Sequence, residues 1–484
     1  MSNQQQYQRI PDNEDEEQSL DRQLKAPPAV VAKNEPVDNG FLGYKVLYTL
    51  NTDAWLLIIS KSIRLFSYGF LAVMLVIYLE SLGFSTDRVG LLLTLTLFGD
   101  AALSMFLTTH ADRWGRKKTL IIGSVIAITT SFIFATQTNF YILLITGIAG
   151  VISPSGNEIG PFMAIEISSI AEVILPTQRT ALMAWYNLFG SFFSAGGALT
   201  CGIIMNYLRE ANYDLPTACS RVLILYGFVQ MGQLALFCYL SPSIEPPTLH
   251  TSFKGDRHKN DGSTWFGLHK SKWIVLQLSL LFMIDSFAGS FVLQSIISAW
   301  FYDSYHTNTA TLGSIIFYCN IVAGISALFA AEIAAYIGLI MTMVVTHLPS
   351  NDFLILVPIM PTEFTSILMI CARYSISQMD VPTRNAYVQG VVDPDERSAA
   401  NGVTNVVRSI GASSGPYLCG LLLTYPQYRN YPFYIAGGLK IVYDLLLLVN
   451  FYFVESSSDT HLSQKVKNNS NDGKAEEKIE LIKK

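Results

Sequence analysis

The chain has 484 residues, half of them hydrophobic and only 14% charged, against roughly 25% charged in a soluble domain. Apolar stretches near 20 residues, the length that crosses a bilayer core of about 30 Å, recur along it, which excludes a string of soluble domains and makes the chain a polytopic membrane protein. The formal net charge of −5 points to no partner, because the charge sits in tails and loops.

Residues 1–50 are polar and include "DNEDEEQSLDRQ" (12–23). No short apolar run opens the chain, so a cleaved signal peptide is not expected; the reading is a disordered cytoplasmic tail. Apolar runs then predict six spans at about 55–82, 87–110, 118–137, 139–171, 179–208 and 219–241. A polar, Pro- and His-containing linker follows over 242–271. Six more spans are predicted at about 273–302, 308–334, 338–360, 363–392, 396–424 and 431–455, and a second disordered tail over 456–484. The expected organisation is therefore a bundle over 51–241, a linker, and a bundle over 272–455. In "DPDER" (393–397), Asp393 reads as N-cap of the eleventh span, with Pro394 at its first position and Glu396 completing a capping box.

Lys and Arg concentrate in "DRWGRKK" (112–118), Arg179, the 254–272 loop, Arg397 and the C-terminal tail. That bias predicts both termini and the linker in the cytoplasm. Six scattered cysteines (201, 219, 238, 319, 371 and 419) suggest neither a disulfide framework nor a metal site.

The chain also repeats itself. Gly90/Gly313, Glu80/Asp303, Gly115/Gly338 and Thr119/Thr342 are each 223 apart, and Arg179/Arg397, Asn187/Asn405, Ser191/Ser409 and Gly197/Gly415 are each 218 apart. Two six-helix halves related by a parallel repeat, with a site between them near the bilayer midplane, would produce this register.

Twelve spans, a long central loop, the repeat and "DRWGRKK" together resemble the major facilitator superfamily, whose signature Asp-Arg-x-Gly-Arg-Arg/Lys lies between the second and third spans. The resemblance covers about 50–455. It implies an all-α integral membrane fold of twelve helices in two pseudo-symmetric six-helix bundles. It also implies a conformational latch of Asp112, Arg113, Gly115, Arg116 and Lys117. Asp112 would face the N-terminus of the eleventh span, Arg113 and Arg116 would pair with acids on neighbouring helix ends, and Gly115 would permit the tight turn. The alternative is that these basic residues only set topology. Two departures stand out. Thr108 occupies the position of a usual glycine, and the second copy of the loop, "IAAYIGLIMT" (333–342), has lost its charges. "SPSIEPP" matches the sugar-porter motif poorly. "SIRLFSYG" (62–69) lacks the glutamates of peptide carriers, and "GSFFSAGGALTCG" (190–202) lacks the Gly-Pro of drug antiporters. "GASSGPYLCG" (411–420) has that spacing in the other half, where small residues for close packing explain it.

Ionisable residues inside spans are costly and mark pathways. Arg64 in the first span and Asp285 in the seventh are expected at similar depth, either paired with each other or separately holding substrate and proton. The fourth span, "GVISPSGNEIGPFMAIEISSIAE" (150–172), and the tenth, "RYSISQMDVPTRNAYVQG" (373–390), are expected to break at their prolines, Pro161 and Pro382. Glu158, Arg373 and Asp380 in these spans are further pathway candidates. Glu166, Glu172 and Arg384 read instead as ordinary end charges. Trp185, Tyr186, Asn187, Gln294, Asn320 and Asn405 are secondary, since such residues commonly bridge helices.

The expected function is secondary active transport of a small organic solute, coupled to protons, by rocker-switch alternating access and as a monomer. The alternative is a non-transporting receptor on the same scaffold. No cofactor, metal or nucleic-acid partner is expected, and no phosphate loop or nucleophile–base set suggests an enzyme. "EKIELI" (477–482) fits an acidic dileucine signal, which leaves plasma membrane and endosomal or vacuolar membrane both open. "NNS" (468–470) is a glycosylation sequon, but the expected cytoplasmic tail would not meet that machinery.

Overall fold

A computed structural model describes residues 41–150, 161–174, 179–245, 268–393 and 396–452. Among the described residues, fifteen α-helices build twelve spans. The first half contains α1 (Thr52–Ser81), α2 (Thr86–Trp114), α3 (Arg116–Thr136), α4 (Phe140–Ala149), α5 (Pro161–Val173), α6 (Arg179–Glu210) and α7 (Leu215–Tyr239). The second contains α8 (Lys272–Ser290), α9 (Gln294–Tyr305), α10 (Thr309–Ile337), α11 (Leu339–Leu356), α12 (Glu363–Ser377), α13 (Asp380–Val391), α14 (Arg397–Leu423) and α15 (Tyr431–Phe451). Among the described residues, nine stretches are long and apolar enough to cross a membrane. The fourth, tenth and eleventh spans fall outside that set; the fourth and tenth are built from short helices.

Local chemistry sets the boundaries. Asn51 accepts the Ala54 amide at 2.9 Å and Asp214 accepts that of Thr217, so side-chain oxygens start α1 and α7. A single glycine separates α2 from α3 and α10 from α11. Gly115 has φ +99° and Gly338 +84°, a region that costs an L side chain and suits glycine. The tenth span breaks at Gln378–Met379, before Pro382, which sits in the first turn of α13 where its missing N–H leaves no bond unmade. The seventh span also breaks, at Phe291–Leu293, although its sequence predicts one continuous helix. In the fourth span, the stretch containing Glu158 lies outside the described residues. Residues 41–49, expected to be tail, form a 3-10 helix whose Val46 is buried; the stretch FLGYKVLYT is mostly apolar, and Val46 joins the first-half core.

The two halves meet on the face opposite the 110–119 loop, the far face. There α2 crosses α14 and α6 crosses α10 at paired glycines. A Cβ added to Gly202 would lie 2.5 Å from the Thr309 carbonyl and 3.0 Å from the Gly313 Cα, and one added to Gly90 would lie 3.1 Å from the Gly420 Cα. Only glycine lets the backbones approach so closely. Ser298 Oγ donates to the Ala72 carbonyl at 2.9 Å, and the Tyr417 amide donates to Thr94 Oγ1 at 2.9 Å.

The apolar core follows the same division. One large cluster on the far side joins both halves, from Tyr68–Leu79 of α1 to Phe291–Phe301, Leu312 and Phe433. Toward the loop face it splits. Leu57, Leu120, Phe162 and Phe237 form a core in the first half, while Val275, Phe282, Met343 and Leu447 form a separate one in the second.

Candidate functional site

Each half holds a buried ion-pair cluster at mid-depth, just where the shared core divides. In the first half, Arg64 Nη1 and Nη2 donate to Glu166 Oε1 and Oε2 at 2.7 and 2.6 Å, with both side chains inaccessible to solvent. Ser60 and Tyr186 hydroxyls also donate to this carboxylate, Ser60 at 3.4 Å. The Arg64 guanidinium lies 4.8 Å above the Phe162 ring. Lys61, on the same face of α1 one turn earlier, donates to Asn187 Oδ1 at 3.0 Å and lies 3.6 Å above the Tyr186 ring.

In the second half, Asp285 of α8 accepts from Arg384 Nη1 of α13 at 3.0 Å and from Lys440 Nζ of α15. Arg384 also pairs with Asp380 at 3.4 Å, one turn earlier on α13. His347 of α11 places Nδ1 2.8 Å from Asp444 Oδ1 of α15 and Nε2 3.9 Å from Asp285 Oδ1. Asn351 Nδ2 donates to Asp444 Oδ2 at 2.9 Å. Half-buried Arg408 of α14 donates from Nε to Ser286 Oγ at 3.3 Å. A polar bridge joins the halves nearby: Gln294 Nε2 donates to Asn320 Oδ1 at 2.7 Å, and Asn320 Nδ2 donates to Ser194 Oγ at 3.2 Å.

The expected sites are thus redistributed. Arg64 and Asp285 do not pair with each other; each is held inside its own half. Asp285 and Asp380 are brought together by Arg384. Arg373 is buried over the Tyr374 ring, 5.1 Å away. Glu166 and Arg384, read as end charges, are both buried and complete the pairs. Position within a span did not reveal this, because the partner that neutralises each charge sits about a hundred residues away. The Glu172 side chain lies outside the described residues. Lys61, His347, Lys440, Asp444 and Arg408 went unflagged. An available signal was the Lys440–Asp444 spacing of four inside an otherwise apolar span, which puts both on one helix face. Asn187 and its repeat counterpart Asn405 are exposed, while Gln294 and Asn320 are buried bridges.

At the 110–119 loop, the side chains of Asp112 and Arg113 lie outside the described residues. Arg116 and Lys117 bind within their own half. Their backbone amides donate to Glu245 Oε2 and Oε1 at 2.7 and 3.1 Å. Arg116 Nη1 reaches the Ser168 and Ile244 carbonyls at 3.2 and 3.1 Å, and Lys117 Nζ the Cys238 and Leu240 carbonyls at 2.8 and 2.7 Å. Glu245 therefore supplies a carboxylate to the start of α3, where unpaired amides and the helix dipole favour negative charge. Glu396 does the same for α8, accepting the His269, Lys270 and Ser271 amides, the last two at 2.9 Å. Burial pushes its carboxyl up, but the Ser271 side chain and these amides outweigh burial and hold it down at about 2. The expected capping box in "DPDER" is not formed: α14 begins at Arg397, and Glu396 turns to another helix. Asp393 instead pairs with Lys270 at 3.2 Å. Among the described residues, no group of three or more His, Cys, Asp or Glu side chains is placed to hold a metal ion.

Twelve spans in two repeated halves, with charge buried at the midplane, define a multi-pass membrane protein of transporter architecture. The Major Facilitator Superfamily model matches residues 57–416, and the chain belongs to that family. It is 28% identical over 433 residues to the uncharacterized membrane protein YJR124C of Saccharomyces cerevisiae, covering 84% of this chain and 95% of the relative. It is 22% identical over 413 residues to the quinolone resistance protein NorA of Staphylococcus aureus, covering 83% and 97%. Its fold matches a D-xylose–proton symporter with a TM-score of 0.67 at 12% identity, covering 84% of this chain and 99% of that one.

Proposed function

We propose that the protein is a secondary active transporter that moves a small organic solute by rocker-switch alternating access, coupled to protons, with both termini in the cytoplasm. The reading rests on the core, which is single on the far side and double toward the loop face. Two rigid halves joined by glycine crossings on one side are the parts that rocking requires. With the loop face cytoplasmic, this conformation is inward-facing. Exposed Asn187 and Asn405 then border the path between the halves, and buried Lys61 reaches it through its hydrogen bond to Asn187. Polar side chains at mid-depth need water or a solute rather than lipid. The functional units are the bundles over 51–241 and 272–455, working as a monomer. The Asp112–Lys117 latch belongs to the opposite, outward-facing state, in which the loop face closes. A resistance protein and a proton symporter among the similar proteins support an organic cargo and proton coupling.

The test is uptake and efflux in proteoliposomes across a solute panel with an imposed pH gradient. Gradient-driven flux of at least one solute is expected. Folded protein that moves none would favour the receptor reading instead.

A further inference from the structure

We infer that Arg373 anchors the acidic group of the solute, and that the cargo is a small organic acid with a hydrogen-bond donor beside its carboxylate. This deepens the transporter reading and rests on it. Arg373 lies well inside α12 and is 7% exposed. Its Nε is buried and makes no hydrogen bond among the described residues. The three carboxylates buried within spans of the second half are engaged elsewhere. Arg384 and Lys440 pair with Asp285, Arg384 with Asp380, and Asn351 and His347 hold Asp444. Arg408 interacts with the same carboxylates, so that cluster has cations of its own and Arg373 is surplus to it. A buried cation without a counter-charge is costly and calls for an anion. A water molecule could fill its hydrogen bonds but carries no charge to offset the guanidinium.

The polar groups nearby are also left with bonds to make. Ser377 follows Arg373 by one turn on the same face of α12, and its Oγ is buried without a hydrogen-bond partner. The Tyr374 hydroxyl lies beside the side chains of both Arg373 and Gln294. Gln294 gives its Nε2 to Asn320 at 2.7 Å, and Asn320 reaches Ser194 of the first half at 3.2 Å. That leaves Gln294 Oε1 buried without a partner. The site therefore offers a cation with an unused N–H, a hydroxyl, and an amide oxygen that needs a donor. A carboxylate matches the first two, and a hydroxyl or N–H beside it matches the third.

The seventh and tenth spans both break beside these residues. Gln294 opens α9 directly after the Phe291–Leu293 break, and no side chain caps that start. Ser377 is the last residue of α12 before the Gln378–Met379 break. An uncapped helix start adds partial positive charge to that of Arg373. Gln294, Asn320 and Ser194 also form a polar crossing between the halves, so an acid held by Arg373 sits beside a contact that rocking must change.

The test is isothermal titration calorimetry on the full chain in phosphatidylcholine nanodiscs at about pH 7. The probes are short 2-hydroxy and 2-amino acids, whose carboxyls are ionised there, each set against its own carboxamide. At least one acid is expected to bind about tenfold more tightly than its amide. Arg373→Gln should weaken that acid about tenfold, the loss of one charge-assisted hydrogen bond, and erase its preference over the amide. A merely structural role would weaken both probes alike. Should Arg373→Gln fail to fold, Arg373→Lys, which keeps the charge but lacks the planar fork, should weaken the same acid several-fold. Acids and amides that bind alike, a panel from which no acid binds, or a preference that survives substitution of Arg373 overturns the assignment. Proteoliposome flux of an uncharged solute by a protein that binds no acid would overturn this site and leave transport standing. Acid binding that depends on Arg373, in a protein that moves no solute, would support the site and sink transport.

Discussion

Arg64 on α1 and Glu166 on α5 form a fully buried two-bond ion pair, and the second half builds the same pair with the charges exchanged. There the acid, Asp285, comes from the seventh span and the base, Arg384, from the tenth. Glu166 and Arg384 are 218 positions apart, the separation that also relates Asn187 to Asn405. Each half therefore clamps its first and fourth spans internally, and no charge pair between Arg64 and Asp285 is needed to hold the halves together.

A double-mutant cycle separates these arrangements. Glu166→Gln removes the carboxylate that faces buried Arg64 and should cost roughly 3–5 kcal/mol, while Arg64→Met with Glu166→Met should cost less than the two single changes summed. Arg64→Met with Asp285→Asn should instead be additive to within about 0.5 kcal/mol, as for residues without shared partners. Unfolding in detergent micelles reads both cycles; strong coupling between Arg64 and Asp285 would contradict the structure.

Closure of the far face can be trapped. The Thr86 and Thr424 hydroxyls are 3.2 Å apart across the α2–α14 crossing, so Thr86→Cys with Thr424→Cys should oxidise to a disulfide in high yield. Gly202→Val adds bulk where even a Cβ meets the Thr309 carbonyl, and it should lower that yield by wedging the halves apart. Peptide mass spectrometry before and after reduction measures it.

Glu396 makes a prediction in pH. Its folded carboxyl sits near 2, below an unfolded value of about 4.3. A depressed carboxylate contributes stability above the unfolded value and loses it as pH falls toward the folded one. Stability attributable to Glu396 should thus be complete above about pH 4.5 and decline between there and pH 2. Glu396→Gln should cost roughly 1–3 kcal/mol at pH 7 and flatten that acid limb. Thermal unfolding of both proteins from pH 3 to 7 checks it, and parallel acid limbs would count against the cap.

Glu245 braces the charged loop through two amides of α3. Glu245→Ala should weaken the start of α3 by about 1 kcal/mol and loosen the 238–245 stretch that Lys117 also holds. Limited proteolysis should then cut near residue 245 several-fold faster, while Glu245→Gln, which keeps an acceptor, should fall between. Unchanged cleavage in Glu245→Ala would show that Arg116 and Lys117 suffice alone.

Some of this was legible in the chain and some was not. Hydrophobic length marks spans because each must fill a bilayer, so the helices fall near their predicted places. Gly115 and Gly338 announce their turns because a positive φ has few other tenants. The break in the tenth span was readable from Pro382, which follows it by three residues. The break at Phe291–Leu293 carries no such residue; the helix that follows it packs against α1, where Ser298 donates to the Ala72 carbonyl. "DPDER" shows how a local pattern misleads: its spacing suits a capping box, but the His269, Lys270 and Ser271 amides just before α8 lie within reach of Glu396 and win.

What residue order alone settled was membrane class, span count, twofold repeat and family, because all of these follow from hydrophobic length and local register. Which charge neutralises which was settled only in three dimensions. Arg64 finds Glu166 across 102 positions, and His347 finds Asp444 across 97. The free energy of a buried charge depends on the partner that folding brings beside it, and no periodicity in the chain records that partner.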